Sequence, residues 1–110
     1  MIMKITVVLS SSENYYILKR EVEIPFIPLV GWQLLLCQRD SCIEIGVEKC
    51  EWEERELETL RLYCGVAQYP PKGPQEGTRK YIPYGNLTHE QIIAISDGDP
   101  RWQKGEPDVM

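Results

Sequence analysis

The chain is poor in histidine and in basic residues, and it lacks any long apolar run. It has one His among 110 residues, and no apolar stretch reaches the ~18 residues that a membrane-spanning helix needs. The first residues, Met1 to Lys4, pass directly into a strand-like segment and lack the charged, apolar and small-residue regions of a signal peptide. We therefore expect a cytoplasmic protein without a membrane partner.

Positive charge is also scarce. The chain has 12 Lys and Arg against 17 Asp and Glu, which gives a formal net charge of −5. Non-specific binding of nucleic acid depends on a basic surface, so the composition makes nucleic acid an unfavoured partner. An acidic body suits a soluble protein or one that meets a basic partner.

Motifs of catalysis are missing as well. There is no phosphate-binding glycine loop, dinucleotide fingerprint or nucleophile elbow. The single histidine, His89, is expected in the first turn of a helix rather than beside a cysteine, so a Cys–His nucleophile pair is not indicated. The glutamates of segment 51–58 could supply paired carboxylates, but a solvated hairpin tip is the favoured interpretation. The sequence therefore predicts no catalytic residue and no cofactor.

What the chain does contain is a β-meander between residues 32 and 66. The turn-forming segment 38–41 predicts a hairpin that places Cys37 directly opposite Cys42. Continuing that register puts Trp32 and the other apolar side chains on one face, because side chains alternate along a strand. We expect Trp32 to pack in the core.

A second loop at 53–56 predicts the partner strand of the next hairpin. It places Val47 opposite Leu62 and gives the same apolar face, which a slip of one residue would invert. On the other face Tyr63 would cover Gly46. Charged pairs near the tip fit badly, so the outer end of this hairpin is expected to be frayed or bulged.

Two more strands precede the meander. Segment 2–9 alternates as a strand, and segment 15–24 is also rich in strand formers. Arg20 interrupts the apolar face of the second strand, which predicts a bulge or a snorkelling arginine. The apolar segment 25–31, with two prolines that limit pairing, is expected to cross over and plug one end of the sheet.

The last third of the chain is less regular. Residues 68–86 form a long Pro/Gly loop with a short extended piece at 81–82. A helix is expected at about 88–96 because Thr88, followed by Gln91, is a capping-box pattern. Residues 101–110 read as a polar, flexible tail in which Trp102 alone could act as an anchor.

These elements predict a mainly β protein with one domain over residues 1–100. Five strands in meander order, with one short C-terminal helix, favour a sheet curled into a small SH3-like barrel. Half of an open β-sandwich is the alternative.

The segment Arg20-Glu-Val-Glu-Ile-Pro-Phe-Ile-Pro-Leu-Val-Gly31, followed by Val47, Trp52 and the last meander strand, carries a resemblance. It resembles a pattern of small bacterial proteins of unassigned function, in which such an element leads into a barrel strand. The resemblance covers about residues 20–66 and implies an SH3-like barrel without catalytic residues.

The four cysteines have the spacing C-x4-C-x7-C-x13-C, which differs from the paired spacing of zinc sites. The predicted register puts Cys64 on the apolar face and Cys37, Cys42 and Cys50 on the other, too far apart for one tetrahedral site. A disulfide between Cys37 and Cys42 is sterically possible, although cytosolic cysteines are usually reduced.

The function predicted from these features is a non-enzymatic protein–protein interaction module, either an accessory subunit or an acidic neutraliser of a basic partner. Aromatic residues are enriched at such interfaces, and the edge strands of a barrel also make a homodimer possible. The alternative is binding of single-stranded nucleic acid through a barrel face and segment 78–84, where cations and aromatics interleave. The candidate partner-binding residues are Tyr81, Tyr84, Arg79, Lys80, Trp52 and Tyr63.

Overall fold

The computed structural model describes residues 3–12, 17–26, 28–39, 42–52, 59–67 and 81–105. These ranges contain seven β-strands and one α-helix. The elements are, in chain order, β1 (Met3–Ser10), β2 (Ile17–Ile24), β3 (Gln33–Cys37), β4 (Cys42–Trp52), β5 (Thr59–Ala67), β6 (Tyr81–Ile82), α1 (His89–Asp97) and β7 (Gln103–Gly105).

All seven strands belong to one sheet, which curls into an open half-barrel. The strand order is β3-β4-β5-β1-β2-β7, and the short β6 pairs with β5. The prediction of five strands in meander order is wrong in two respects. Strands β6 and β7 are added, and β1 lies between β2, its antiparallel neighbour, and β5, with which it pairs in parallel.

The parallel pairing has a topological cause. Parallel neighbours such as β1 and β5 require a crossover connection. The segment between β2 and β3 provides it, because β2 lies beside β1 and β3 lies at the far edge of the sheet. Pro28 is fully buried in this crossover, and the thiol of Cys50 donates to its carbonyl oxygen at 3.5 Å. Among the described residues of the crossover, Pro28 is the buried one, and it attaches this segment to β4.

The hairpin of β3 and β4 has the predicted register, with Cys37 opposite Cys42. The register of β4 and β5 is shifted by two residues from the prediction, so that Val47 lies opposite Cys64 instead of Leu62. An even shift leaves each side chain on the same face, which is why the predicted apolar face is still correct.

An irregularity between Val47 and Lys49 agrees with the expected bulge at the outer end of this hairpin. Because one extra residue is inserted there, the alternation is reversed beyond it. Cys50 consequently pairs with Leu62 and packs against the core. The predicted assignment of Cys50 to the face away from the core is therefore wrong.

Strand β2 pairs with β1 without interruption, from Ile17 opposite Ser10 to Ile24 opposite Met3. The bulge considered at Arg20 is therefore absent from this strand pair. Arg20 keeps its place in the alternation and its side chain is buried.

The core lies on the concave side of the sheet and is completed by α1. Its buried members are Ile5, Val7, Leu9, Leu18, Leu36, Ile43, Ile45, Val47, Leu62, Cys64, Val66, Leu87, Ile92 and Trp102. The helix begins as predicted, since Thr88 accepts from the backbone of Gln91 at 3.1 Å and the Gln91 side chain accepts from the backbone of Thr88 at 2.9 Å. This capping box satisfies donors that a helix N-terminus leaves open.

The C-terminal segment does not become a free tail at residue 101. Trp102 is buried and β7 pairs with the start of β2, so residues 101–105 belong to the fold. Residues 106–110, and residues 68–80 of the predicted loop, lie outside the described ranges, whereas Tyr81–Ile82 forms the expected extended piece. In the described part of the chain, no helix has the length and apolar character needed to cross a membrane.

Candidate functional site

Three of the predicted site residues lie together, and two of them bind the same carboxylate. The hydroxyl of Tyr81 donates to Oε2 of Glu48 at 2.6 Å, and the backbone amide of Tyr84 donates to the same oxygen at 2.7 Å. The ring of Tyr63 meets the ring of Tyr84 edge-on at 5.3 Å. We call these three tyrosines and Glu48 the tyrosine cluster.

The tyrosine cluster fastens the short strand β6 over two glycines of the sheet. A Cβ atom at Gly46 would lie 3.0 Å from the ring of Tyr81, and one at Gly65 would collide with the Tyr81 hydroxyl. The prediction that Tyr63 covers Gly46 is therefore wrong, and Tyr81 is the aromatic cover. Burial, and then the hydrogen bond with Glu48, raise the pKa of Tyr81.

This geometry bears on the nucleic-acid alternative. Glu48 places a carboxylate beside Tyr81 and Tyr84, two of the residues that were expected to stack on bases. A carboxylate repels the phosphate backbone because both are negatively charged. Arg79 and Lys80, the cations of that hypothesis, lie outside the described residues. Trp52, the remaining candidate, is exposed at the end of β4 opposite Leu60.

The cysteines are four free thiols. Cys37 and Cys42 are exposed and face each other across the hairpin, so the predicted disulfide has the strand pairing it needs and remains a prediction. Partial desolvation and a hydrogen bond with Cys37 raise the pKa of Cys42. Burial raises the pKa of Cys64 to about 12, which keeps this thiol protonated and unreactive.

No metal site emerges from the described residues. Among them, no group of three His, Cys, Asp or Glu side chains is close enough to hold a metal ion. Cys50 and Cys64 now share the core side, but Cys37 and Cys42 remain exposed on the other, so the four thiols do not converge.

The sequence analysis missed an exposed apolar surface on the crossover. Phe26, Leu29, Val30 and Trp32 are 42%, 58%, 61% and 44% exposed, respectively. We call these four residues the crossover surface. The prediction that Trp32 packs in the core is wrong, because Trp32 lies at the end of the sheet, where its ring meets Phe26 at 5.5 Å instead of entering the interior.

The crossover surface is held in place by the backbone. Gly31 donates to the carbonyl of Val47 at 2.8 Å, Val47 donates to that of Trp32 at 2.8 Å, and Trp32 donates to that of Leu29 at 3.0 Å. Gly31 has a φ of 96°, a conformation that side chains other than glycine rarely adopt. Leu29, Val30 and Trp32 are thus presented by an ordered turn.

A group of charges, of which Arg20 and Asp99 are buried, occupies the other end of β3. Arg20 and Arg101 each donate from Nη2 to the carbonyl oxygen of Cys37 at 2.9 Å. Arg101 also donates to both carboxylate oxygens of Asp99, at 2.9 and 2.7 Å. The guanidinium of Arg20 lies 5.6 Å from the ring centre of Trp102. We call Arg20, Asp99, Arg101 and Trp102 the arginine corner.

The arginine corner joins the two sides of the half-barrel. The indole of Trp102 donates to Oε1 of Gln38 at 2.6 Å, and the backbone of Arg39 donates to Gly98 at 3.2 Å. The tip of the β3–β4 hairpin is thereby attached to the segment that follows α1. In the sequence, only the interrupted alternation at Arg20 and the isolated Trp102 pointed to this corner.

The charged groups of the arginine corner shift one another's pKa values. Hydrogen bonds from Arg101 hold the pKa of Asp99 well below its ordinary value, and the same contact raises the pKa of Arg101. Burial, and then the charge of Arg101, lower the pKa of Arg20. Asp99 thus stabilises Arg101 more than it stabilises Arg20.

Comparison of the chain with protein-family models, with curated proteins and with solved structures gives no match. The candidate sites therefore stand on their own geometry.

Proposed function

We propose that the protein is a non-enzymatic module that binds another protein through the crossover surface. The observation that carries this proposal is the exposure of four large apolar side chains, three of them on an ordered turn. Exposed apolar patches of soluble proteins commonly mark interaction sites, and Trp is among the residues enriched at interface hot spots.

The order of the turn strengthens the proposal. A surface already held by backbone hydrogen bonds loses little conformational entropy when a partner binds. Residues 25–32 contain no charged side chain, so a partner would meet an apolar surface without charges there.

The same features distinguish between the kinds of partner. A basic partner would be met by acidic side chains, and the crossover surface has none. The accessory-subunit interpretation is therefore favoured over the acidic neutraliser, and a second copy of the chain is a further candidate. The SH3-like character of the half-barrel remains part of this proposal.

The test compares two leucines of similar exposure, Leu29 before β3 and Leu35 within β3. Leu29 is 58% exposed on the crossover surface, and Leu35 is 60% exposed in β3 on the face that points away from the core side chains Leu34 and Leu36. The wild-type chain, Leu29→Ser/Val30→Ser and Leu35→Ser serve as baits in native lysate, at about 0.5 M salt to screen exposed charges. Light scattering of each pure protein reports self-association.

We expect one protein, or a second copy of the chain, to be retained stoichiometrically by the wild type and by Leu35→Ser. The Leu29→Ser/Val30→Ser variant should lose it. Equal retention by all three baits would place the interaction elsewhere. A wild-type chain that stays monomeric and retains nothing would argue against the proposal.

A further inference from the structure

Arg20 is buried in a position that ordinarily holds an apolar side chain. It lies between Leu18 and Val22 on the core side of β2, opposite Val7, and is 4% exposed. Charged side chains are seldom buried to this degree unless an opposite charge pairs with them.

The partners of Arg20 do not satisfy its charge. A guanidinium has five N–H donors, and one from Nη2 is given to the Cys37 carbonyl. Nε and Nη1 are buried and have no hydrogen-bond partner among the described residues. The carboxylate of Asp99, whose charge acts on Arg20, is engaged by Arg101 through both oxygens. Two guanidinium groups thus share one carboxylate.

A cleft lies beside this pair. It has a volume of about 590 Å³ and is lined by Lys19, Arg20, Glu21, Arg61, Arg101 and Gln103, together with Thr6 and Pro100. Such a volume lies within the range of small-ligand sites. A neighbouring cleft of about 460 Å³ shares Arg20, Glu21 and Arg101 and adds Lys4, Val22 and Glu23.

The charge of the larger cleft is opposite to that of the whole protein. Four of its lining residues are cationic and one is acidic, whereas the chain has a net charge of −5. Arg101 is paired with Asp99, and Arg61 lies 4.0 Å from Glu51 across β4 and β5, so part of this positive charge is balanced. A recess with clustered charges of one sign concentrates ligands of the other sign.

We propose that this cleft binds a small ligand through an oxyanion group, either a phosphate or a carboxylate. A guanidinium donates charge-assisted hydrogen bonds to both groups. Arg101, whose side chain is 58% exposed, uses Nε and Nη2 for Asp99 and Cys37 and contacts the oxyanion through Nη1. Lys19 also contacts the oxyanion, and Arg20 acts from beneath as a buried positive charge.

This site is independent of the crossover surface. It lies at β2 and the segment after α1, whereas the crossover surface lies between β2 and β3. Failure of one proposal therefore leaves the other unaffected.

The test is calorimetric titration of the full chain with pyrophosphate and, separately, with citrate, in a buffer of low ionic strength. The variants are Lys19→Gln and Arg101→Gln in the cleft, with Lys49→Gln as the control. Lys49 is 66% exposed on β4 and does not line the cleft. Because a hydrogen bond to a charged group contributes strongly to binding, we expect Arg101→Gln to weaken binding about tenfold or more. Lys19→Gln should weaken it several-fold and Lys49→Gln less than about twofold.

The two anions identify the oxyanion, since a preference for pyrophosphate indicates a phosphate ligand and a preference for citrate a carboxylate ligand. Circular dichroism of each variant checks its fold. If Arg101→Gln unfolds, the test rests on Lys19→Gln, which leaves the ion pair of Asp99 and Arg101 in place. Absence of binding by the wild type to both anions would overturn the proposal. So would equal weakening by Lys49→Gln, which indicates general attraction, or tighter binding of a single-stranded oligonucleotide, which indicates an extended surface.

Discussion

The two ends of β3 reverse the usual distribution of side chains in opposite ways. At its start the crossover surface exposes Trp32 and three other apolar residues, and beyond its last residue the arginine corner buries Arg20 and Asp99. The two ends differ in what lies beside them. At the arginine corner the segment after α1 packs over Arg20. Among the described residues, no element covers the crossover surface.

The difference shows that each end has a separate physical role. Burying charge costs free energy, so a buried pair is weak evidence of stabilisation but fixes which segments meet. Arg20 and Arg101 fix the hairpin tip against the C-terminal segment through a single carbonyl, that of Cys37. Exposed apolar area contributes nothing to the isolated fold, and its burial is available to a partner.

The largest loss of stability is expected from Trp102→Ala, and its counterpart at the exposed end, Trp32→Ala, should have a small effect. Trp102 is 5% exposed, and we expect Trp102→Ala to lower the free energy of unfolding by about 3–5 kcal/mol because a large cavity forms. Trp32→Ala, at the exposed end, should lower it by less than about 1 kcal/mol. Urea unfolding followed by circular dichroism measures both.

A matched variant separates ring packing from hydrogen bonding at the arginine corner. Trp102→Phe keeps an aromatic ring but loses the donor to Gln38, so it should be less destabilising than Trp102→Ala. Equal losses for Trp102→Ala and Trp32→Ala would mean that the two ends do not differ as described.

A smaller, pH-dependent effect is expected from Asp99→Asn. The folded pKa of Asp99 is held below its unfolded value by Arg101, so its contribution is present at neutral pH and is lost as the pH falls below about 4. Asp99→Asn should therefore be less stable than the wild type at pH 7, and the two should converge in acid. The midpoint of urea unfolding, measured at pH 7 and in acid, tests this.

Asp97→Asn is the control for this pH effect, because Asp97 is exposed two residues away. It should leave the acid dependence of the wild type nearly unchanged. If Asp99→Asn kept the full acid dependence, the pairing of Asp99 with Arg101 would not be its source.

Sequence reasoning succeeded where the determinants are local. The turn at 38–41 set the β3–β4 register, and the Thr88–Gln91 pattern set the start of α1. It failed where one inserted residue determines the face of a side chain, or where a segment distant in the chain determines the strand order. The bulge after Val47 reversed the face of Cys50, and no short-range pattern places β1 beside β5.

The candidate sites divide in the same way. The tyrosine cluster was partly predicted, although its central Glu48 was not. The arginine corner joins residues 20, 37 and 99–102, which are far apart in the chain and meet only when the sheet curls. The exposure of Trp32 was missed because alternation identifies a face but not where the core ends.

The smallest effect on stability is expected at the crossover surface itself. Leu29→Ser and Leu35→Ser remove side chains of similar exposure, and each should change the free energy of unfolding by no more than about 0.5 kcal/mol. Urea unfolding of the two variants beside the wild type gives the values.

The comparison of Leu29→Ser with Leu35→Ser separates the contribution of the crossover surface to folding from its contribution to binding. If Leu29→Ser is as stable as Leu35→Ser but loses a partner that Leu35→Ser keeps, the crossover surface serves recognition and adds nothing to the fold. A cost of about 2 kcal/mol or more for Leu29→Ser, typical of a buried leucine, would instead make the crossover part of the core. The two ends of β3 would then both be structural, and the exposed apolar side chains would no longer call for a partner.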